Sequence, residues 1–101
     1  MRVQSIRATV RLLPGGRRSP VSLDRGYRPH LVVTDGDPLG VVIRGVGRAR
    51  LEPGGDEVEV LVELPYDIDY GALVPGATFS VREGPNVIGT GIVLRRRPSE
   101  R

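Results

Sequence analysis

Apolar and polar residues alternate with a period of two along much of the chain, and no stretch shows the spacing of an amphipathic helix. The clearest alternation covers Val58–Leu64: Glu57, Glu59 and Glu63 point one way, and four apolar side chains point the other, those of Val58, Val60, Val62 and Leu64. A similar alternation over about Val3–Leu13 predicts the first strand. The pattern therefore predicts an all-β protein.

Four more short strands are predicted, each bounded by clusters of Gly, Pro, Asn or Asp. They cover about His30–Thr34, Leu39–Arg44, Thr78–Glu83 and Val87–Leu94. In the last of them, Gly89 and Gly91 indicate a bend or the tight approach of another backbone. Six short strands are typical of a barrel or a sandwich, and a barrel is favoured because it leaves no exposed edge. We expect one six-stranded antiparallel closed β-barrel over residues 1–94, followed by a short basic polar tail, residues 95–101.

The composition excludes several classes of protein. The 101 residues include fifteen Arg and one His, but no Cys and no Lys. A disulfide framework and a thiolate metal site are therefore excluded, and so is a P-loop, which needs a lysine. No glycine-rich loop joins a strand to a helix, so we expect no GTP binding by this chain. Without a signal peptide or an apolar run long enough for a membrane helix, we expect a cytoplasmic protein that does not enter a membrane.

Charge is unevenly distributed along the chain. Residues 1–50 contain ten Arg and three acids, a net charge of +7, whereas residues 51–101 contain five Arg and nine acids, a net charge of −4. This asymmetry predicts one basic face and one acidic face. The exclusive use of Arg has two explanations that the sequence leaves open: a GC-rich coding bias, or recognition of phosphate or carboxylate by the planar guanidinium.

Candidate catalytic groups are few. His30 opens an apolar strand, and no second His or Cys could complete a metal site with it. Asp67 and Asp69 could form a carboxylate pair, although solvated acids in a turn are the commoner case. The loop 15–18 contains two glycines followed by two arginines, a pattern that suits an anion-facing loop as well as it suits solvated arginines. We therefore expect a non-catalytic protein that needs no metal or cofactor.

Five motifs occur in an order that points to a known family. They are Gly-Gly-Arg-Arg-Ser-Pro at 15–20, Gly-Tyr-Arg-Pro-His at 26–30, Pro-Gly at 75–76, Arg-Glu-Gly at 82–84 and Val-Ile-Gly-Thr-Gly-Ile-Val at 87–93. Together they resemble the third, C-terminal domain of bacterial elongation factor Tu, whose pattern is close to Gly-Gly-Arg-His-Thr-Pro, Gly-Tyr-Arg-Pro-Gln, and Arg-Glu-Gly-Gly before Val-Gly-Ala-Gly-Val-Val. The similarity spans about Arg2 to Leu94. It implies a six-stranded antiparallel barrel of the kind that packs, in the family, on a nucleotide-binding domain and a second barrel.

The resemblance also implies contacts with RNA, because the family's third domain contacts the T stem of aminoacyl-tRNA. At the matching positions, Arg17 keeps the family's guanidinium, Arg18 replaces a histidine, His30 replaces a glutamine, and Glu83 and Gly84 match the family's Glu-Gly. The nucleotide-binding domain is absent from this chain, so the family's GTP hydrolysis does not transfer.

Two functions of different classes follow. The first is an RNA-binding, translation-associated module that contacts tRNA or another RNA through Arg17, Arg18, Arg28, His30, Glu83 and Gly84. The second is a protein-interaction domain that self-associates, or that mimics a translation-factor barrel to engage its partners, because a free-standing barrel exposes surface that the family covers with other domains. Two of the family's RNA-contacting residues are not kept: a threonine matches Leu39, and a lysine falls near Tyr66. Because the family's RNA contacts are kept only in part, both functions remain open.

Overall fold

The computed structural model describes residues 4–47 and 50–97. Within these two ranges the protein contains nine β-strands and no helix, which confirms the predicted all-β class. The strands are β1 (Gln4–Leu12), β2 (Val21–Ser22), β3 (His30–Val32), β4 (Leu39–Gly40), β5 (Val42–Gly45), β6 (Arg50–Leu51), β7 (Val58–Leu64), β8 (Thr78–Glu83) and β9 (Asn86–Arg97). No helix in the described ranges is long and apolar enough to cross a membrane.

Seven of the strands form one antiparallel sheet that curls into a half-barrel, in the order β4-β3-β8-β9-β1-β7-β5. β2 and β6 pair separately as a small two-stranded sheet. β1 pairs with β7 on one side and with β9, the central strand of the seven, on the other. Since β1 and β9 are the two longest strands and pair with each other, the sheet is most extensive at its centre.

The two outermost strands of this sheet are nearly continuous in sequence. β4 ends at Gly40 and β5 begins at Val42, so only Val41 separates strands that lie at opposite edges. Next to them, the Tyr27 amide donates to the Ile43 carbonyl over 2.9 Å, and the Ile43 amide donates back over 2.7 Å. The curl of the sheet follows from this connection, because the chain leaves one edge and enters the other within one residue.

The core lies on the concave face of the curled sheet, and the alternation found in the sequence determines which residues reach it. On β1 and β7 the inward positions are all nearly inaccessible to solvent; they are Ile6, Ala8, Val10, Leu12, Val58, Val60, Val62 and Leu64. These residues belong to one cluster that also includes Phe79 and Val81 from β8. Full burial of one such side chain contributes about 1.5–3 kcal/mol, so this shared cluster is the main stabilising feature of the domain.

Close packing of backbones at β9 confirms one prediction from the sequence. A Cβ on Gly91 would lie 2.3 Å from the Thr9 carbonyl oxygen of β1 and 2.5 Å from the Phe79 ring of β8. A Cβ on Gly89 would lie 2.8 Å from the Arg11 carbonyl oxygen. The lack of a side chain at both glycines therefore lets β1 pack closely against β9. At Gly91 it also lets the Phe79 ring pack directly against the β9 backbone.

The strand boundaries differ from the prediction in three places. The predicted strand 39–44 is divided at Val41, because its first part pairs with β3 and its second with β7. The short strands β2 and β6 lie in segments where the sequence predicts no strand. β9 continues to Arg97, so the expected tail 95–101 begins as strand paired with β1, and residues 98–101 lie outside the described ranges. The Arg96 guanidinium supports this extension by donating to the Tyr70 carbonyl over 3.0 Å.

Candidate nucleic-acid interface

The arginine-containing loop 15–18 is fixed against the start of β9. The Leu13 amide donates to the Ile88 carbonyl over 2.9 Å, and a Cβ on Gly16 would lie 2.9 Å from the Ile88 Cα. The absence of a side chain at Gly16 therefore lets the loop lie directly on β9. This contact determines where the two arginines that follow are presented.

The Arg17 guanidinium is directed back onto the protein. Its Nε donates to the Ser19 carbonyl over 2.8 Å, and one of its terminal nitrogens donates to the Glu83 carboxylate. The Arg17 and Glu83 side chains are 26% and 34% exposed, so their ion pair is partly shielded from water. Two residues that the sequence proposed as RNA contacts are thus brought together as partners of each other.

Tyr27 completes this network, because its hydroxyl donates to the same Glu83 oxygen that accepts from Arg17. Burial of the ring raises the pKa of Tyr27 above its ordinary value, and the hydrogen bond to the Glu83 carboxylate raises that pKa further. The network connects the loop after β1, the segment before β3 and the end of β8. We define it as the Glu83 network: Arg17, Tyr27 and Glu83.

The other predicted residues on this side of the molecule are exposed. Arg18 points to solvent and makes no salt bridge with any described residue. Arg28 is exposed just before β3, and His30 is exposed as the first residue of β3, while Pro29 between them is buried. The alternation along this segment therefore places the Arg28 and His30 side chains on the outer face together.

Strand pairing adds a third basic side chain to this face. His30 lies in register with Arg82 of β8 on one side and with Gly40 of β4 on the other. The Arg82 Nε donates to the Ser80 hydroxyl over 3.3 Å, and its guanidinium makes no salt bridge within the described part of the chain. Arg28, His30 and Arg82 form what we define as the outer basic cluster.

Two shallow depressions meet at His30 and Pro38. The first, of about 330 Å³, is lined by Arg28, Pro29, His30, Pro38, Gly40, Val41, Tyr66 and Ile68. The second, of about 350 Å³, is lined by His30, Pro38, Arg82, Gly84 and Pro85. No carboxylate lines either depression, so the basic side chains there face no opposing charge from the walls. Of the two neighbouring residues predicted to bind RNA, Gly84 thus lines the second depression beside His30 and Arg82, whereas the Glu83 side chain bonds to Arg17 and Tyr27.

Elsewhere in the described residues, four basic side chains pair with acids (Arg7, Arg17, Arg44 and Arg50), whereas Arg11, Arg25, Arg95 and Arg96 make no salt bridge. On the outer face of β1, β7 and β5, Arg7 bonds to Glu59 over 2.8 Å and Arg44 to Glu63 over 3.1 Å. The predicted division into a basic and an acidic face stays a prediction. The outer basic cluster differs from these pairs because each of its side chains lacks a carboxylate partner among the described residues.

Tyr66 is a residue of the first depression that the sequence did not single out as a contact. A Cβ on Gly40 would lie 3.0 Å from the Tyr66 Cε2 atom and 3.9 Å from the His30 Nε2 atom, so the ring lies over bare backbone beside the imidazole. The Tyr66 amide donates to the Tyr70 hydroxyl over 3.2 Å, and that hydroxyl donates to the Gly40 carbonyl over 2.6 Å. Burial raises the pKa of Tyr70 above its ordinary value.

The candidate carboxylate pair does not form a site with the basic residues. Asp69 accepts a hydrogen bond of 2.8 Å from the Gly71 amide, which is the arrangement of a turn-stabilising aspartate. Asp69 also lines a separate depression of about 150 Å³ together with Asp37. Over residues 4–47 and 50–97, no three His, Cys, Asp or Glu side chains are grouped as a metal site requires.

Compared with models of known protein families, the chain matches none. The resemblance to elongation factor Tu therefore rests on the order and spacing of the motifs described above. Two of these motifs, at 26–30 and 82–84, meet where His30 of β3 lies opposite Arg82 of β8.

Proposed function

We propose that the curled sheet closes as a six-stranded antiparallel barrel of the type found at the C-terminus of elongation factor Tu. The support is the register at the two edges of the sheet. At one edge His30 of β3 pairs with Gly40 of β4, and the bridge between Tyr27 and Ile43 continues the same register. Ile43 belongs to β5, where it also pairs with Val62 of β7 at the other edge. Taken as one strand across Val41, residues 39–45 would bridge both edges and reduce seven strands to six.

We further propose that the protein is a non-catalytic, cytoplasmic RNA-binding module associated with translation, with tRNA as the first candidate ligand. The observation that supports this most is the outer basic cluster. Arg28, His30 and Arg82 present donors around two depressions that no carboxylate lines. Guanidinium groups without acidic partners suit phosphate, which accepts two parallel hydrogen bonds from one arginine.

The proposed surface is smaller than the one expected from the sequence. Arg28, His30 and Gly84 remain in it, Arg82 is added, and Arg18 extends it as an exposed guanidinium on the neighbouring loop. Arg17 and Glu83 are assigned instead to the Glu83 network, where their charges are mutually satisfied. Such a surface can neutralise only a few phosphates, so binding is weak at moderate salt.

Fluorescence anisotropy with labelled tRNA at several salt concentrations tests this proposal. About three phosphate contacts give a slope of about −2 to −3 when log affinity is plotted against log salt. Arg28→Gln and Arg82→Gln should each reduce the magnitude of that slope by about one. Arg50→Gln is the matched control, because it removes the same charge from β6, where Arg50 pairs with Glu52 over 3.5 Å. Absence of binding at low salt, or an affinity independent of salt, would contradict RNA binding.

A protein-interaction domain is the second candidate, favoured by a different observation. Ile92 and Leu94 on β9 and Val74 before β8 are exposed apolar side chains, each more than one-third accessible. Val93 is hydrogen-bonded to Gly76 and Ala77, which brings these exposed residues onto neighbouring segments. Analytical ultracentrifugation tests self-association: Leu94→Ser and Ile92→Ser should shift a dimer to monomer, and a wild-type protein that stays monomeric at high concentration contradicts self-association.

A further inference from the structure

The first depression contains an aromatic ring that is both exposed and held in place. Tyr66 is 50% exposed, yet its backbone is hydrogen-bonded to Tyr70, which is itself only 5% exposed. Tyr70 in turn is bonded to Gly40, the residue over which the Tyr66 ring lies. Two successive hydrogen bonds therefore hold the Tyr66 backbone beside Gly40, and the ring is presented to solvent from there.

Gly40 provides the room that this arrangement requires. Its backbone does not adopt the left-handed conformation that favours glycine, so the turn geometry does not explain the residue. A Cβ there would press on the ring at 3.0 and 3.2 Å from two of its atoms. The absence of this side chain lets Tyr66 lie close to the strand surface beside His30.

The residues that line the depression around the ring include two basic side chains and no carboxylate. Arg28 and His30 line the same depression, and Arg82 lines the adjoining one. The neighbouring acid Asp69 lines a different depression with Asp37. An exposed aromatic ring beside unpaired cationic groups is the combination by which proteins bind single-stranded nucleic acid, with the ring stacking on a base and the cations on phosphates.

We infer that the depression around Tyr66 binds unpaired nucleotides, with one base stacked on the Tyr66 ring and the flanking phosphates on Arg28 and Arg82. This inference rests on the proposed RNA-binding function and specifies its ligand as single-stranded. A base that is paired within a duplex has no free face to offer the ring, so a duplex gains only the phosphate contacts.

Anisotropy at low salt with labelled oligoadenylate, alone and annealed to oligouridylate, tests the inference. The wild-type protein should bind the single strand more tightly than the duplex. Tyr66→Leu should weaken single-strand binding by about fivefold or more, the lower range for one stacked base, and leave duplex binding unchanged. Tyr66→Phe, which keeps the ring, is the matched control and should bind like the wild type.

A second measurement guards against an effect of folding. The ring protons of Tyr66 should shift upfield in NMR spectra when oligoadenylate is added, whereas those of the buried Tyr70 should not. Equal affinity for single strand and duplex, with no effect of Tyr66→Leu, would overturn the stacking inference while leaving RNA binding by the outer basic cluster intact. Absence of binding to either ligand would overturn the proposed RNA-binding function itself.

Discussion

Replacing Tyr27 by Phe tests the Glu83 network by removing one hydroxyl and leaving the ring in place. The lost interaction is a hydrogen bond to a carboxylate that also pairs with Arg17. Hydrogen bonds to charged groups contribute about 1.5–3 kcal/mol. Because the Glu83 side chain is 34% exposed, we take the lower end, about 1.5 kcal/mol. For a domain of this size such a loss lowers the Tm by about 6–10 °C.

Urea denaturation of a double-mutant cycle measures this contribution directly. The variants are Tyr27→Phe, Glu83→Gln and the double variant, with the wild type as reference. If the hydroxyl acts through the carboxylate, Tyr27→Phe should destabilise the Glu83→Gln protein by about 1 kcal/mol less than it destabilises the wild type. Tyr66→Phe is the control, because the Tyr66 hydroxyl has no hydrogen bond to a described residue, and its effect should be within about 0.5 kcal/mol. Equal losses in both backgrounds would refute the network.

Three further changes test other parts of the structure. The pKa of Tyr27 is raised in the folded state, so the protonated Tyr27 stabilises the fold fully below the ordinary tyrosine pKa of 10.0. This stabilisation is lost as the pH rises above that value. The free energy of unfolding should therefore fall more steeply above pH 10 in the wild type than in Tyr27→Phe. Gly91→Ala should destabilise the protein by about 3 kcal/mol or prevent folding, because the new methyl group meets the β1 backbone. Thr90→Ala, on the exposed side of β9, is the control and should change stability by less than about 0.5 kcal/mol. Thermal melts measure both variants. Arg96→Ala should cost about 1–2 kcal/mol by loss of its bond to the Tyr70 carbonyl, measured by urea denaturation.

Local patterning predicted most of the strands but not their ends. The alternation over Val58–Leu64 corresponds to β7 residue for residue, because one face of that strand is buried and the other is exposed or half-buried. The extension of β9 to Arg97 was missed, since three successive arginines show no apolar alternation. Their pairing with β1 depends on partners far away in sequence. The two-residue strands β2 and β6 are too short to produce any period.

The sequence predicted those residues of the candidate site whose exposure follows from their own segment of chain. Arg28 and His30 are exposed beside each other, as expected of a binding surface, although their role in binding RNA stays a prediction. Arg82 joins them only through the register of β3 with β8, which local patterning does not contain. The pairing of Arg17 with Glu83 joins residues 66 positions apart, so no local signal could have shown that their charges satisfy each other.

Mapping of amide shifts in ¹⁵N-labelled protein during an RNA titration shows directly whether the outer basic cluster binds RNA. If the outer basic cluster binds RNA, the shifts should be largest at the residues around the two depressions: Arg28, His30, Arg82 and Gly84. Residues of β6 and of the outer face of β7 should be unaffected. Shifts confined to β6 and β7, or no shifts at low salt, would contradict the assignment of RNA binding to the outer basic cluster.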